Sequence, residues 1–334
     1  MNNTFFEKFN TEQMTKVSKL IVAIVIVVAM HTIYIVSAKA EIVLEQLPDS
    51  KVFNDFAVGP GKIEMELAPG QTGTFDLLVS NRLGTAKIFN LTSEDFTGST
   101  DKEQTVILLG DDRGPYSLQD FIKIGSTTLS LDHASRARIP VSVSIPKNAE
   151  PGGLYGSVIV STMSKSDEAK NTSGVVSTNP IFTRIAVLIF IKVKGEVKED
   201  GKLISFALAQ NKKVVSGTDS VIFDLFFKND GNIHLNPKGT ITIQNMLGST
   251  VGIIDVEPWY AMPKSLRFRE VAWKPKFLFG KYTATATILP GYGQSKDEIS
   301  YTFWAIPWKM FLIVFVVVVA VVALFRRLYR RSVQ

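Results

Sequence analysis

The chain has no cysteine and only three histidines among its 334 residues. The first absence removes disulfides, thiol nucleophiles and thiolate metal sites, so packed cores must supply the stability. The second leaves little for acid–base or metal chemistry. His31 lies in an apolar segment near the N-terminus, while His133 and His234 stand in polar surroundings with no nucleophile-elbow serine beside them. G-x-S-x-G, H-E-x-x-H, a Walker loop and a strand-to-helix G-x-G-x-x-G are all missing. Gly291-Tyr292-Gly293 reads as a hairpin turn. Between residues 41 and 303 no amphipathic helical pattern of useful length occurs either. These absences predict a protein that is not an enzyme and carries no cofactor.

The charge balance excludes another class. The formal charge is +6, but residues 1–40 hold +2 of it and residues 309–334 hold +5, which leaves −1 for everything between. A nearly neutral central region gives no electrostatic reason to bind a polyanion, so no nucleic acid is expected.

Two long apolar runs are present, one at each end. The first, Leu20 to Val36, follows Lys16 and Lys19 and runs into Ser37-Ala38-Lys39-Ala40, a small-residue pattern suited to secretory cleavage. It reads as a signal peptide or an uncleaved anchor covering 1–40. The second, Ala305 to Phe325, is apolar on every face and reads as a transmembrane helix over 304–325. Trp304 and Trp308 stand where interfacial aromatics would, and Pro307 opens the helix. Arg326, Arg327, Arg330 and Arg331 follow as a stop-transfer cluster, so 326–334 reads as a cytoplasmic basic tail. The expected localisation is the cell membrane, single-pass, with the bulk of the chain extracellular.

The residues between the two runs carry strand signals. Lys62 to Leu67, Thr74 to Val79, Ile139 to Ile145 and Ser220 to Phe226 are short, β-branched or aromatic, and bounded by Gly, Pro, Asn and Asp. The pattern also repeats. A turn and a strand ending in Asn occur at Pro69 to Asn81 and again at Ser216 to Asn229. Arg138, Pro146, Gly153 and Tyr155 recur in order as Arg267, Pro275, Gly280 and Tyr282. An all-β chain follows, with two immunoglobulin-like β-sandwiches over 41–195 and 196–303. Tyr155 and Tyr282, each near a glycine at a strand start, are expected as structural tyrosine corners.

Two stretches depart from the framework: the acidic loop 92–120, with Asp95, Asp101, Asp111, Asp112 and Asp120, and the polar segment 161–180. The acidic loop has carboxylates of the kind calcium takes but lacks EF-hand spacing, and its Asp pair suits a Gly-Pro turn better. Asn90-Leu91-Thr92 and Asn171-Thr172-Ser173 match the N-glycosylation pattern by spelling alone.

Phe56-Ala57-Val58-Gly59-Pro60, Leu67-Ala68-Pro69-Gly70-Gln71, Asp95-Phe96, Pro115-Tyr116-Ser117-Leu118, Ile139-Pro140-Val141 and Ala149 to Ser157 occur in that order. Over residues 50–165 this series resembles the N-terminal immunoglobulin-like module of the WxL-interacting surface proteins of Gram-positive bacteria. The resemblance implies binding to the cell wall or to partner surface proteins, without catalysis. The expected function is a membrane-anchored binding or scaffold protein whose partners are the lipid bilayer and peptidoglycan or other surface proteins. An accessory subunit of a membrane or surface complex is the alternative, and a carboxylate-dependent glycosidase built on the 92–120 loop the remotest reading.

Overall fold

A computed structural model of the protein describes Ser18, Leu20 and residues 41–48, 51–99, 104–164, 181–217 and 219–332. The signal-peptide or anchor reading of 1–40, the Asp101 carboxylate and the Asn171 glycosylation pattern lie outside the described residues. From Ile42 onward the chain forms one unit containing two β-sandwiches and a C-terminal helix.

The first sandwich is built from β1 (Val43–Gln46), β2 (Asp55–Gly59), β3 (Lys62–Leu67), β4 (Thr72–Arg82), β5 (Lys87–Gly98), β6 (Val106–Leu108), β7 (Ile122–Ile124), β8 (Thr128–Leu131), β9 (Ser135–Ser144), β10 (Gly152–Ser164) and β11 (Ile181–Val193). One sheet runs β1-β9-β4-β2, with β7 beside β9; the other runs β3-β11-β10-β5-β6, with β8 beside β5. β9 shows why these residues make a half-buried strand. Ala137, Ile139, Val141 and Val143 alternate with less buried neighbours and are themselves fully buried. They meet Leu77, Val79, Phe89, Leu91, Val158 and Ile189 in the core.

The second sandwich comprises β12 (Gly201–Leu208), β13 (Val214–Val215), β14 (Val221–Asn229), β15 (Lys238–Asn245), β16 (Thr250–Val256), β17 (Ser265–Trp273), β18 (Gly280–Leu289) and β19 (Asp297–Ala305). The sheets run β12-β14-β17 and β13-β19-β18-β15-β16. Alternation governs β18 too: Tyr282, Ala284, Ala286 and Ile288 face a core that holds Phe206, Phe223, Phe227 and Phe303. The helix α1 (Trp308–Ser332) follows at once, and Pro307 accepts from the N–H groups of Met310 and Phe311. Its Trp308–Arg327 stretch has a mean hydropathy of 2.8, is wholly exposed, and is long and apolar enough to cross a membrane.

The repeated Asn has one geometry in both sandwiches. At the end of β4 the buried Asn81 amide donates to the carbonyls of Thr85 (2.9 Å) and Leu131 (2.8 Å), and its oxygen accepts from Leu83 N–H (3.0 Å). At the end of β14 Asn229 donates to Ile233 (2.8 Å) and Ala261 (2.9 Å) and accepts from Gly231 N–H (2.9 Å). Each Asn stitches the turn after its strand to a distant chain segment. Asn81→Ala and Asn229→Ala should therefore each lower stability by about 1–3 kcal/mol, the cost of leaving buried backbone groups unpaired. Chemical denaturation midpoints of the two variants check this, and unchanged midpoints would dismiss the stitching role.

Candidate functional site

The β10–β11 pair is where the first sandwich meets the second. Along Val187–Val193 and Gly152–Thr162 burial is almost continuous instead of alternating, because both faces of the pair are covered. Val158, Val160, Ile189 and Ile191 point into the first core, while Tyr155 and Phe190 point the other way into a second cluster with Phe96 and Met262. Met262 belongs to the second sandwich, so this cluster joins the two.

Aromatic edges fill the junction. Tyr155 lies 5.8 Å from Phe96, 5.7 Å from Phe190, 6.1 Å from Tyr116 and 5.6 Å from His234, centroid to centroid. Phe190 and His234 each meet Tyr260. The Tyr155 hydroxyl accepts from the His234 backbone N–H at 2.7 Å and lies 3.2 Å from the His234 Nδ1, to which it donates when the imidazole is neutral. Gly153 leaves room for that hydroxyl, since a Cβ there would collide with it. Around the cluster runs a polar belt. Gly153 N–H donates to Asn232 O, the Asn232 amide donates to Pro151 O, and Arg267 donates to Gln104 O and to Thr105 Oγ1. Tyr260 donates to Glu64 at 2.7 Å, and Lys62 bonds both of them.

Above this belt is an open cleft of about 340 Å³ lined by Glu64, Lys192, Glu199, His234, Asn236 and Tyr260. Burial pushes the His234 imidazole down to about 4, with Lys62 and Lys192 adding to the shift and Glu64 opposing it. Burial likewise pushes the Tyr155 phenol upward. For Glu64 burial acts to raise the carboxyl, but hydrogen bonds from Lys62 and Tyr260 outweigh it and hold the group below its ordinary value. The junction therefore rests on a neutral histidine and a protonated tyrosine.

Tyr282 keeps its hydroxyl local, accepting from Phe279 N–H at 3.1 Å, with its ring stacked on Phe303. Tyr155 instead sends its hydroxyl to the other sandwich. Trp304 and Trp308 are exposed at the entry to α1, and Arg326 and Arg327 are exposed near its far end. Arg330 and Arg331 lie on the same helix. Of the stretch 92–120 read as an acidic loop, residues 92–98 are the end of β5; there buried Asp95 accepts from the N–H groups of Gly114, Leu118 and Gln119, while Asp120 is held below the usual carboxylate range by its hydrogen bond from Arg113. Asp95 thus ties the loop to β5. Among the described residues no three His, Asp or Glu gather to hold a metal.

No family model and no curated protein matches the chain. Among solved structures it is similar to a chaperone–tip adhesin complex of CFA/I fimbriae (10% identity, 75% of this chain and 98% of that one, TM-score 0.36). It is also similar to the class 5 fimbriae chaperone CfaA (10%, 76% and 100%, TM-score 0.34) and to the CsuC–CsuE chaperone–tip complex of Acinetobacter baumannii (11%, 74% and 97%, TM-score 0.35). At these values the likeness is one of coarse β-sandwich architecture. The resemblance to the WxL-interacting surface proteins is corrected: no family model supports it. The localisation read from the two apolar runs and the arginine cluster, single-pass with the bulk of the chain extracellular and the C-terminus cytoplasmic, is not kept; among the described residues the structure shows one exposed apolar helix long enough to cross a membrane and no more than that.

Two outcomes follow from the Tyr155–His234 contact. Tyr155→Phe removes the acceptor for a buried N–H and should cost about 1–3 kcal/mol, splitting one calorimetric transition into two as the sandwiches uncouple. A single unshifted transition would remove Tyr155 from the junction. The pH dependence has a definite sign, because the His234 folded value is depressed. Between about pH 6.5 and 4 the unfolded chain binds a proton that the folded chain excludes, so stability falls by on the order of 3 kcal/mol as the pH drops through that window. His234→Gln should flatten that slope in urea titrations at pH 7, 5.5 and 4.

Proposed function

We propose that the protein is a non-catalytic accessory module that binds an extended segment of another protein along the outer edge of β11. The observation that carries this reading is an interrupted pairing. On one side β11 pairs with β10 over its whole length, but on the other side β3 covers only Leu188–Val193. Among the described residues no strand pairs with Ile181–Val187 on that side. Seven residues of regular strand therefore present a free backbone edge, the surface to which an extended peptide adds by main-chain hydrogen bonds.

Register tells which groups are free. Leu188 N–H points outward, donating to Gly61 O at 3.2 Å. Because successive peptide groups alternate, the N–H groups of Ala186 and Arg184 point the same way, while that of Val187 points to β10.

The domain limits 41–195 and 196–303 belong to the same proposal, as does a lipid partner for α1. Its exposed apolar surface needs cover, and 20 residues at 1.5 Å each span about 30 Å, the thickness of a bilayer core. Trp304 and Trp308 take the interfacial positions. Peptidoglycan is the less favoured partner, because the free edge offers backbone groups that suit a peptide better than a saccharide.

Ala186→Pro tests the edge. Proline removes one outward donor while leaving the β10 ladder intact, a substitution edge strands tolerate. Partner capture should fall at least tenfold, the effect of about 1.4 kcal/mol, with the melting temperature little changed. Full capture by this variant would overturn strand addition at β11.

A further inference from the structure

The helix-proximal end of the second sandwich carries exposed apolar side chains that neither core nor junction uses. Register brings them together. Asn245 stands opposite Tyr282, Gly280 opposite Ala305, and Ala305 opposite Val215, so the β15–β16 turn, the strand-entry segment before β18 and the exit into α1 all lie at one end of one sheet. In the turn, Met246 is 63% and Leu247 83% exposed; before β18, Phe277 is 50% and Phe279 61% exposed.

These side chains are held outward. Asn245 Oδ1 accepts from the N–H groups of Leu247 and Ser249, Asn245 O accepts from Gly248 N–H, and Gly248 supplies the positive φ of +79° that closes the turn. Leu278 is buried and donates its N–H to Gly217 O at 2.8 Å, which throws Phe277 and Phe279 to the outside. The patch is continuous with the helix. The Phe279 ring lies 6.2 Å from Phe311, and the Met246 side chain lies over Gly280. Lys276 and Lys281, both exposed, flank it.

We propose that this end of the sandwich is an interfacial lipid-binding patch: Met246, Leu247, Phe277 and Phe279 enter the headgroup boundary of the bilayer that holds α1, and Lys276 and Lys281 meet anionic headgroups. An apolar patch rimmed by lysines and running into an apolar helix matches a bilayer surface in both its parts. The preformed turn gives up little conformational freedom on entering. The consequence is a sandwich fixed in tilt over the membrane instead of swinging on Pro307. The inference rests on the lipid partner proposed for α1.

Because the chain lacks cysteine, single cysteines can be placed in the full-length protein without other changes. Leu247→Cys, Val318→Cys and Ser295→Cys, each carrying an environment-sensitive dye, are reconstituted into phosphatidylcholine–phosphatidylglycerol vesicles with brominated lipid as quencher. Val318 reports the helix, Leu247 the patch, and Ser295 the opposite end of the same sheet. Quenching at Val318 and Leu247 but not at Ser295 is expected. Quenching at Val318 alone overturns the patch and leaves the helix reading intact, whereas no quenching at either overturns both. In Lys276→Gln/Lys281→Gln the Leu247 signal should lose its dependence on phosphatidylglycerol, since each lysine near an anionic surface is worth about fivefold. An unchanged dependence would overturn the headgroup contacts.

Discussion

Burial of the β10–β11 pair on both faces is the constraint from which the rest of the molecule follows. A strand pair that fed only the first core would alternate, and its outer face would be solvated. Here Tyr155 and Phe190 turn that face into a second apolar surface, and Met262 and Tyr260 from the other sandwich close over it. The two sandwiches therefore share an interface made from the central strands of one of them. A movement of the junction is a movement of β11 itself.

The polar chemistry of the junction is tuned to that burial. Tyr155 both accepts from and donates to His234, which requires an unprotonated imidazole. Burial supplies that state by depressing the histidine. The Lys62–Glu64–Tyr260 group forms the rim, where charges remain in contact with water and cost less to keep. The ordering is that of an interface, with an apolar centre and a polar edge.

Much of the framework was legible in the residues. Alternation in Ile139–Ile145 and in Ser220–Phe226 marked half-buried strands, and the matched Asn81 and Asn229 marked a repeated strand end; that each Asn holds the turn after its strand through the same hydrogen bonds is a finding of the structure. The near-continuous apolar run Ile185–Ile191 also held a signal of two-sided burial, but periodicity alone does not say what covers the second face. The family resemblance misled for a related reason. Short Pro-Gly and Gly-Gly series report the turn chemistry that β-sandwiches share, and turn chemistry does not carry a partner.

Residue order by itself determined the all-β character, the absence of thiol chemistry, the near-neutral central region and the apolar helix, because each depends on composition or on neighbours a few positions apart. Tertiary structure alone decided that Tyr155 reaches His234, 79 residues away, that Asp95 ties its loop through three backbone N–H groups instead of facing solvent, and that β3 stops short along β11. Such pairings arise from the register of strands distant in sequence. Register is set by the whole core packing at once, so no local pattern contains it.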